Sequence, residues 1–366
     1  MLNLESAIKE FRLEFEPRLN QFCELKVLKA STMNFEMQHN LNEIVRVSTL
    51  KKAKRIRPIL AYYGYLLADG LNTEVEPVYS LGIGLEIFHS SALIWDDIID
   101  QSTERRGEPT LEAHYQKYFT HNLGTVSLAK HNAMSSSLLA GGLAMSIADS
   151  AISKLPSNLR EYYFDMAFEL FSGQIDDCFG VGLSNFEELS EEKILTMLKT
   201  KSGNYSIQKP VIMGMILANP SIPLGELLLT DQFKKMSEIT ESIGLIFQLT
   251  DDILGVFGDE GKTGKSNISD IVEGKKTLLM YLAYQASSPV EKLRMRKVLG
   301  ERNYNLEEIR WLKDHIIKVK MLDNLKNRCV NLNRKIQIDL EQNFNFENQG
   351  IKFISQLSNY LLERTQ

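Results

Sequence analysis

Residues 93–110, LIWDDIIDQSTERRGEPT, set Asp96, Asp97 and Asp100 behind an apolar run and follow them with Glu104, Arg105, Arg106 and a Gly-Glu-Pro stop. On a helix, Asp96 and Asp100 lie one turn apart and stack on one face, with Asp97 pointing aside. Like charges at that spacing destabilise a helix by roughly 0.2–0.5 kcal/mol. They also stand near its C-terminus, where the macrodipole favours cations. A lone pair of this kind reads as a solvated helix end. A local rule broken without visible compensation points instead to a site, and stacked carboxylates call for a cation.

The pattern recurs. GLIFQLTDDILGVFGDEGKTGKS places Asp251 and Asp252 at the end of a second apolar helical run, with Gly255 where the first group has its last aspartate. Two such helices facing each other would give a cleft walled by carboxylates. Oxygen-only ligands suit Mg²⁺, which bridges one or two carboxylates to substrate phosphates. No His or Cys stands in a zinc-like spacing nearby. The basic residues supply the other half of the chemistry. KKAKRIRP carries Lys54, Arg55 and Arg57, Arg105 and Arg106 follow the first aspartates, and Lys201, Lys265, Lys275 and Lys276 lie further on. Any one alone reads as solvated surface charge. Together they suit an anion with several phosphate oxygens, arginine as a bidentate fork and lysine as a point charge. No GxxxxGK[ST] loop is present, so a P-loop nucleotide site is not indicated.

The elements that carry these residues read as helices. Val78, Leu81, Leu85, Phe88 and Ala92 recur at three- and four-residue spacing after Pro77, and Met236, Ile239, Ile243, Phe247 and Thr250 do so before Asp251. Leu195 and Leu198, then Ile317, Met321 and Leu325, continue the habit. Glycine-bearing loops near 106–109, 258–266 and 273–274 punctuate them. The expectation is an all-α protein, one large helical domain over residues 1–366, with no linker or solenoid repeat. Its 43% hydrophobic and 24% charged residues are an ordinary globular balance. A net charge of -5 argues against general nucleic-acid binding. Cys23, Cys178 and Cys329 are widely spaced, which reads as reduced thiols in a cytoplasmic protein. The start, MLNLESAIKEFRLEF, is not a signal peptide, and no stretch is expected to span a membrane.

At this point the chain resembles the all-trans isoprenyl diphosphate synthases, or polyprenyl synthetases. The DDxxD and RRGxP elements of that family appear as Asp96-Asp97-Ile98-Ile99-Asp100 and Arg105-Arg106-Gly107-Glu108-Pro109. GGKRLRP appears as Lys52-Ala53-Lys54-Arg55-Ile56-Arg57-Pro58, and the histidine seven residues before the first aspartate is His89. GQxxD appears as Gly173-Gln174-Ile175-Asp176-Asp177, the Lys-Thr pair as Lys201-Ser202, and FQxxDD as Phe247-Gln248-Leu249-Thr250-Asp251-Asp252. Lys265 and Lys275-Lys276-Thr277 match the downstream lysine elements. The departures are Lys52-Ala53 for a glycine pair, Gly255 for the last aspartate of the second motif, and serines at 135–137 for a Gly-Asp.

The resemblance implies an isoprenoid-synthase helical bundle around a central active-site cavity. It implies a Mg²⁺ cluster of up to three ions on Asp96, Asp100 and Asp251, supported by Asp97, Asp252 and Asp177. Arg105, Lys201 and Lys265 would hold an allylic diphosphate, and Lys54, Arg57, His89 and Arg106 isopentenyl diphosphate. Gln174, Ser202, Gln248 and Lys275 complete the substrate contacts, and a homodimer is expected by analogy. A class I terpene cyclase shares the fold, but its N-D-x-x-S-x-x-x-E metal motif is absent and it needs no isopentenyl clamp. A silent subunit of a heteromeric synthase would be expected to have lost the aspartates that this chain keeps. For product length, a prenyl tail held at Asp96 and Asp100 runs back along the same helix. Ser91 and Ala92, one turn back, are small. Phe88 lies about 12 Å from Asp96 along the axis at 1.5 Å per residue, and one isoprene unit extends roughly 5 Å. A floor at Phe88 favours geranylgeranyl diphosphate (C20), with farnesyl diphosphate (C15) next.

Overall fold

The computed structural model describes residues 3–33, 35–46, 53–70, 75–105, 107–123, 125–182, 184–259, 267–301 and 303–364. These residues are helical almost throughout, as the apolar spacing predicts. They form two compact units, Met1–Arg160 with Met213–Ser221 and Glu161–Ile212 with Ile222–Gln366.

In the first unit, α1 (Leu4–Ser31), α2 (Phe35–Val45) and α3 (Ile56–Leu67) precede α4 (Glu76–Asp100), and α5 (Leu111–Leu123) and α6 (Val126–Ile152) follow it. Pro77 stands in the first turn of α4, where its missing N–H removes no helical bond. Beyond it α4 is apolar on nearly every side, as a helix buried all round must be. Its partner α6 presents Ala133, Ser137, Ala140, Ala144, Ala148 and Ala151, all buried. These small residues let the two backbones come close. A Cβ on Gly84 would lie 2.5 Å from Ile152, and one on Gly141 would lie 2.4 Å from the Trp95 indole. Among the described residues α4 is the one helix long and apolar enough to cross a membrane, contrary to the expectation that no stretch comes near it. Yet 72% of that window is buried inside the protein, as in a core helix.

Arg55 opens α3 in the left-handed conformation (φ 53°) and is buried. Its guanidinium bonds Glu16 of α1 at 2.9 Å and Glu86 of α4 at 2.6 Å. Breaking one partner of such a buried pair costs about 3–5 kcal/mol. Of the basic run Lys54, Arg55 and Arg57, the middle residue is therefore a tie between helices.

α7 (Ser157–Ile175), in the second unit from Glu161 on, passes into a π-helical stretch, Asp176–Val181, and α8 (Glu191–Leu198) into another, Lys199–Gln208, before α9 (Lys209–Leu217), which belongs to the first unit from Met213 on. After α10 (Leu224–Leu229) comes α11 (Asp231–Phe257), whose buried row Met236, Ile239, Ile243, Ile246, Leu249, Ile253 and Val256 packs against the C-terminal helices Met321–Asn343 and Gln349–Glu363. Thr230 caps α11, its hydroxyl accepting from the Phe233 N–H.

Candidate functional site

The first acidic group ends α4. Gln101, left-handed at φ 53°, stops the helix, and a two-stranded ribbon, β1 (Glu104–Arg105) with β2 (Glu108–Pro109), turns back through Gly107 at φ 77°. The positive φ suits glycine, which has no Cβ to clash. The ribbon returns Arg105 to the helix it left. Its Nε donates to Asp97 Oδ1 at 2.6 Å and its Nη2 to Asp96 Oδ2 at 3.0 Å. Burial opposes the Arg105 charge, but Asp97 and then Asp96 outweigh it and hold the pKa above the ordinary arginine value. Asp97 is buried while Asp96 and Asp100 are half-buried, consistent with Asp97 leaving the face the other two share.

Further back on that face the side chains sink inward. Ala92 is half-buried, and Ser91 and Phe88 are fully buried. The Ser91 hydroxyl has no hydrogen-bond partner. Of the expected isopentenyl clamp, Lys54 is exposed and Arg57 and His89 are half-buried.

In the second unit the expected residues fall at the end of α7, on the two π-helical stretches, on α11 and, for Lys275, just before the helix Leu278–Gln285. A π turn is rare and concentrates at functional sites. Here one carries Asp177 and the other Lys201 and Ser202, and the Lys201 ammonium pairs with the Asp177 carboxylate. Glycine makes that meeting possible. A Cβ on Gly173 would lie 2.6 Å from the Lys201 backbone nitrogen, and one on Gly244 would lie 2.5 Å from the Gly203 carbonyl oxygen. Gln174 donates to the Cys178 sulfur at 3.5 Å. Lys276 bonds the Gly182 carbonyl; burial lowers its pKa, and Asp177 opposes the shift.

The second acidic group ends α11. Asp251 is partly exposed and accepts from Arg364 Nη2 at 2.9 Å, the same guanidinium standing 5.7 Å from the Phe247 ring centroid. Asp252 is buried and accepts from Gln248 Nε2 at 3.2 Å. Burial first, then the Asp270 charge, push its carboxyl well above the usual carboxylate range. Lys275 pairs with Glu273 at 2.6 Å and stands 4.0 Å from Asp270. Thr277, of the same lysine element, caps the helix Leu278–Gln285.

Arg106 and Lys265 lie outside the described residues. Sequence reasoning missed Arg364 and Asp270. A basic residue near the end of the last helix and an aspartate after a glycine-lysine loop carry no spacing signal of their own. Among the described residues, metal-ligand spacing is found in His39 and Glu43 of α2 with His114 of α5. There Arg46 already pairs with Glu43 at 2.9 Å.

A model of the polyprenyl synthetase family matches residues 38–316. The short chain isoprenyl diphosphate synthase of Methanocaldococcus jannaschii is 30% identical over 260 residues, 70% of each chain. The geranylgeranyl diphosphate synthase of Saccharolobus solfataricus is 28% identical over 262 residues, again 70% of each. The crystal structure of geranylgeranyl pyrophosphate synthase from Corynebacterium glutamicum, complexed with isoprenyl diphosphate and magnesium, superposes with a TM-score of 0.87. It is 27% identical and covers 99% of this chain and 100% of that one.

Proposed function

Because the chain belongs to the polyprenyl synthetase family, we propose that it condenses isopentenyl diphosphate with an allylic diphosphate, yielding an all-trans product, geranylgeranyl diphosphate first and farnesyl diphosphate next. That it is a prenyl-transferring enzyme follows from the family and its relatives. The choice of substrates, product and residues is the proposal. The observation that carries it is the pairing of acidic groups with basic side chains: Arg105 on Asp96 and Asp97, Lys201 on Asp177, and Arg364 on Asp251. Such groups can exchange one cation for another and take a diphosphate with it.

The donors at both helix ends are carboxylate oxygens, which fits Mg²⁺ as a hard cation. In this reading Asp96, Asp100 and Asp251 ligate it, and Asp97, Asp252 and Asp177 orient the ligands or their basic partners. When bound, Mg²⁺ stabilises the diphosphate charge that develops as the allylic C–O bond breaks. Arg105, Lys201 and Lys265 hold the allylic diphosphate through charge-assisted hydrogen bonds. Gln174, Ser202, Gln248 and Lys275 contribute further polar contacts. Lys54, Arg57, His89 and Arg106 hold isopentenyl diphosphate, whose double bond attacks the allylic carbon. The proton then lost passes to the departing diphosphate, so no side chain is needed as a dedicated base.

The proposal includes a homodimer in the cytoplasm. Phe164, Phe168, Ile175 and Phe179 stand exposed at spacings of four, seven and four along α7 and its π-helical extension. That apolar stripe suits burial against a second copy. The test is to give purified protein Mg²⁺, isopentenyl diphosphate and each allylic starter in turn, and to separate products by chain length. The expected result is a prenyl diphosphate ending at C20. A cyclic hydrocarbon from an allylic diphosphate alone would favour the cyclase, and no elongation from any starter would contradict the reading.

A further inference from the structure

Away from both acidic helix ends, α2 and α5 bring together three side chains of metal-binding type. His39 and Glu43 stand one turn apart on α2 and so share a face. His114, near the start of α5, meets them from the other helix. One ligand atom from each of the three lies within 4.8 Å of the others. His114 Nε2 and Glu43 Oε2 are 4.0 Å apart. Ligand atoms bound at about 2.0–2.2 Å to a tetrahedral ion stand about 3.4 Å from one another, so small side-chain rotations close the set.

Two further observations bear on the group. The residues next to the histidines fasten the two helices together, because the hydroxyl of buried Tyr115 donates to Asn40 Oδ1. The His114 ring also packs edge-on against Tyr115, with centroids 5.9 Å apart. Helices held in this way assemble the ligands before any ion arrives, which lowers the cost of binding. The Glu43 carboxylate, moreover, already holds a cation. Arg46 Nε and Nη2 donate to its Oε2 at 3.0 and 2.9 Å, and Oε2 is the oxygen that faces His114. The same guanidinium stands 3.8 Å from Glu108 of β2, so it has a second carboxylate to turn to.

We propose that His39, Glu43 and His114 form a Zn²⁺ site that ties α2 to α5, and that Arg46 holds Glu43 until the ion displaces it toward Glu108. Two imidazole nitrogens and one carboxylate oxygen suit zinc, with the fourth position left to water. His39 is exposed and His114 half-buried, which gives the ion a way in from solvent. Mg²⁺ prefers oxygen ligands alone, so this site is chemically separate from the two acidic groups. It uses none of the residues assigned to prenyl transfer, and each role can fail without the other.

The test takes the full chain, stripped of metal with a chelator, and titrates it with Zn²⁺ alone and then in excess Mg²⁺. Calorimetry and melting temperature are the readouts. The wild type should bind one Zn²⁺ per chain that Mg²⁺ does not displace, and should melt at a higher temperature with it. Loss of a residue that merely supports a metal ligand costs about ten- to a hundredfold in affinity. His39→Ala, His114→Ala and Glu43→Gln each remove a ligand, so each should weaken zinc binding by at least about tenfold. Arg46→Met keeps the apolar stem and removes the competing charge, and should tighten zinc binding several-fold. Co²⁺ used in place of zinc should give visible absorption bands in the wild type that both histidine variants lack. His39 is exposed, so its truncation leaves the fold intact and keeps the test decisive. Zinc bound equally well by the wild type and the histidine variants would overturn the site, as would a wild type that binds none. Unchanged or weaker binding in Arg46→Met would overturn the exchange at Glu43.

Discussion

The two acidic helix ends are built differently. At the end of α4 everything needed lies within fifteen residues: three aspartates, a left-handed stop at Gln101, a glycine turn, and Arg105 returned to Asp96 and Asp97. At the end of α11 the partners arrive from afar. Arg364 reaches Asp251 across 113 positions of sequence, and Asp270 fills the space beside Gly255 from the next short helix. The first end is a local device and the second is a tertiary one. Both put a cation against carboxylates, so equivalent chemistry can be reached by either route.

The comparison breaks most visibly if one end proves dispensable. Asp96→Asn and Asp251→Asn should each lower turnover by about three orders of magnitude or more while circular dichroism stays unchanged, because each removes a charge that acts mainly in the transition state. Near-normal turnover in either variant at saturating Mg²⁺ would mean that this end takes no part.

The basic residues should sort by substrate. Arg57→Ala and His89→Ala should weaken isopentenyl diphosphate, and Lys201→Ala the allylic substrate. A lost charged hydrogen bond is worth about 1.5–3 kcal/mol, roughly ten- to a hundredfold in affinity. Substrate titrations giving the opposite assignment would reverse the roles drawn here.

The two cations on the aspartates offer a finer contrast. Arg105 is held by two carboxylates and is 17% exposed, whereas the Arg364 pair is 25% and 38% exposed. Exposed pairs contribute about 0–1 kcal/mol. Arg364→Ala should therefore change the Mg²⁺ response by less than about fivefold, and Arg105→Ala by much more. Equal effects would show that the two ends are more alike than their construction suggests.

Much of the first end was legible in the sequence, and less of the second. Apolar spacing located α4 and α11, and the charges at their ends marked Asp96, Asp100 and Asp251, because helical period and end effects act over a few residues. Arg55 reads like its neighbours Lys54 and Arg57, but burial against Glu16 and Glu86 separates it from them, and burial is a property of the fold. The same holds for α4, whose apolar length fits a membrane until its neighbours in the first unit cover it. The π-helical stretches at Asp177 and Lys201, and the close approaches at Gly173 and between Gly203 and Gly244, are tertiary features that no pattern along one helix reveals.

Product length tests how far the first end extends along α4. Phe88→Ala should lengthen the product by one or two isoprene units, and Ser91→Phe should shorten it. An unchanged distribution in both would move the ruler to another helix.

The smallest effect lies outside both ends and serves as a control. His315 is buried against the Ser287 hydroxyl at 2.7 Å, and burial lowers its pKa below the ordinary histidine value. An unfolded chain binds that proton more readily, so the contribution to stability is present above about pH 6.5 and falls as pH drops through the lower folded value. His315→Gln should flatten this loss in melts taken between neutral and mildly acidic pH, and leave the Mg²⁺ response unchanged.

The central claim is that the acidic ends serve one Mg²⁺-dependent prenyl transfer, and pyrophosphate release measured against product tests it most directly. With isopentenyl and farnesyl diphosphates, the account predicts one pyrophosphate for each isoprene unit added, only while Mg²⁺ is present. Pyrophosphate released without elongated product, or elongation undiminished by a chelator, would contradict it.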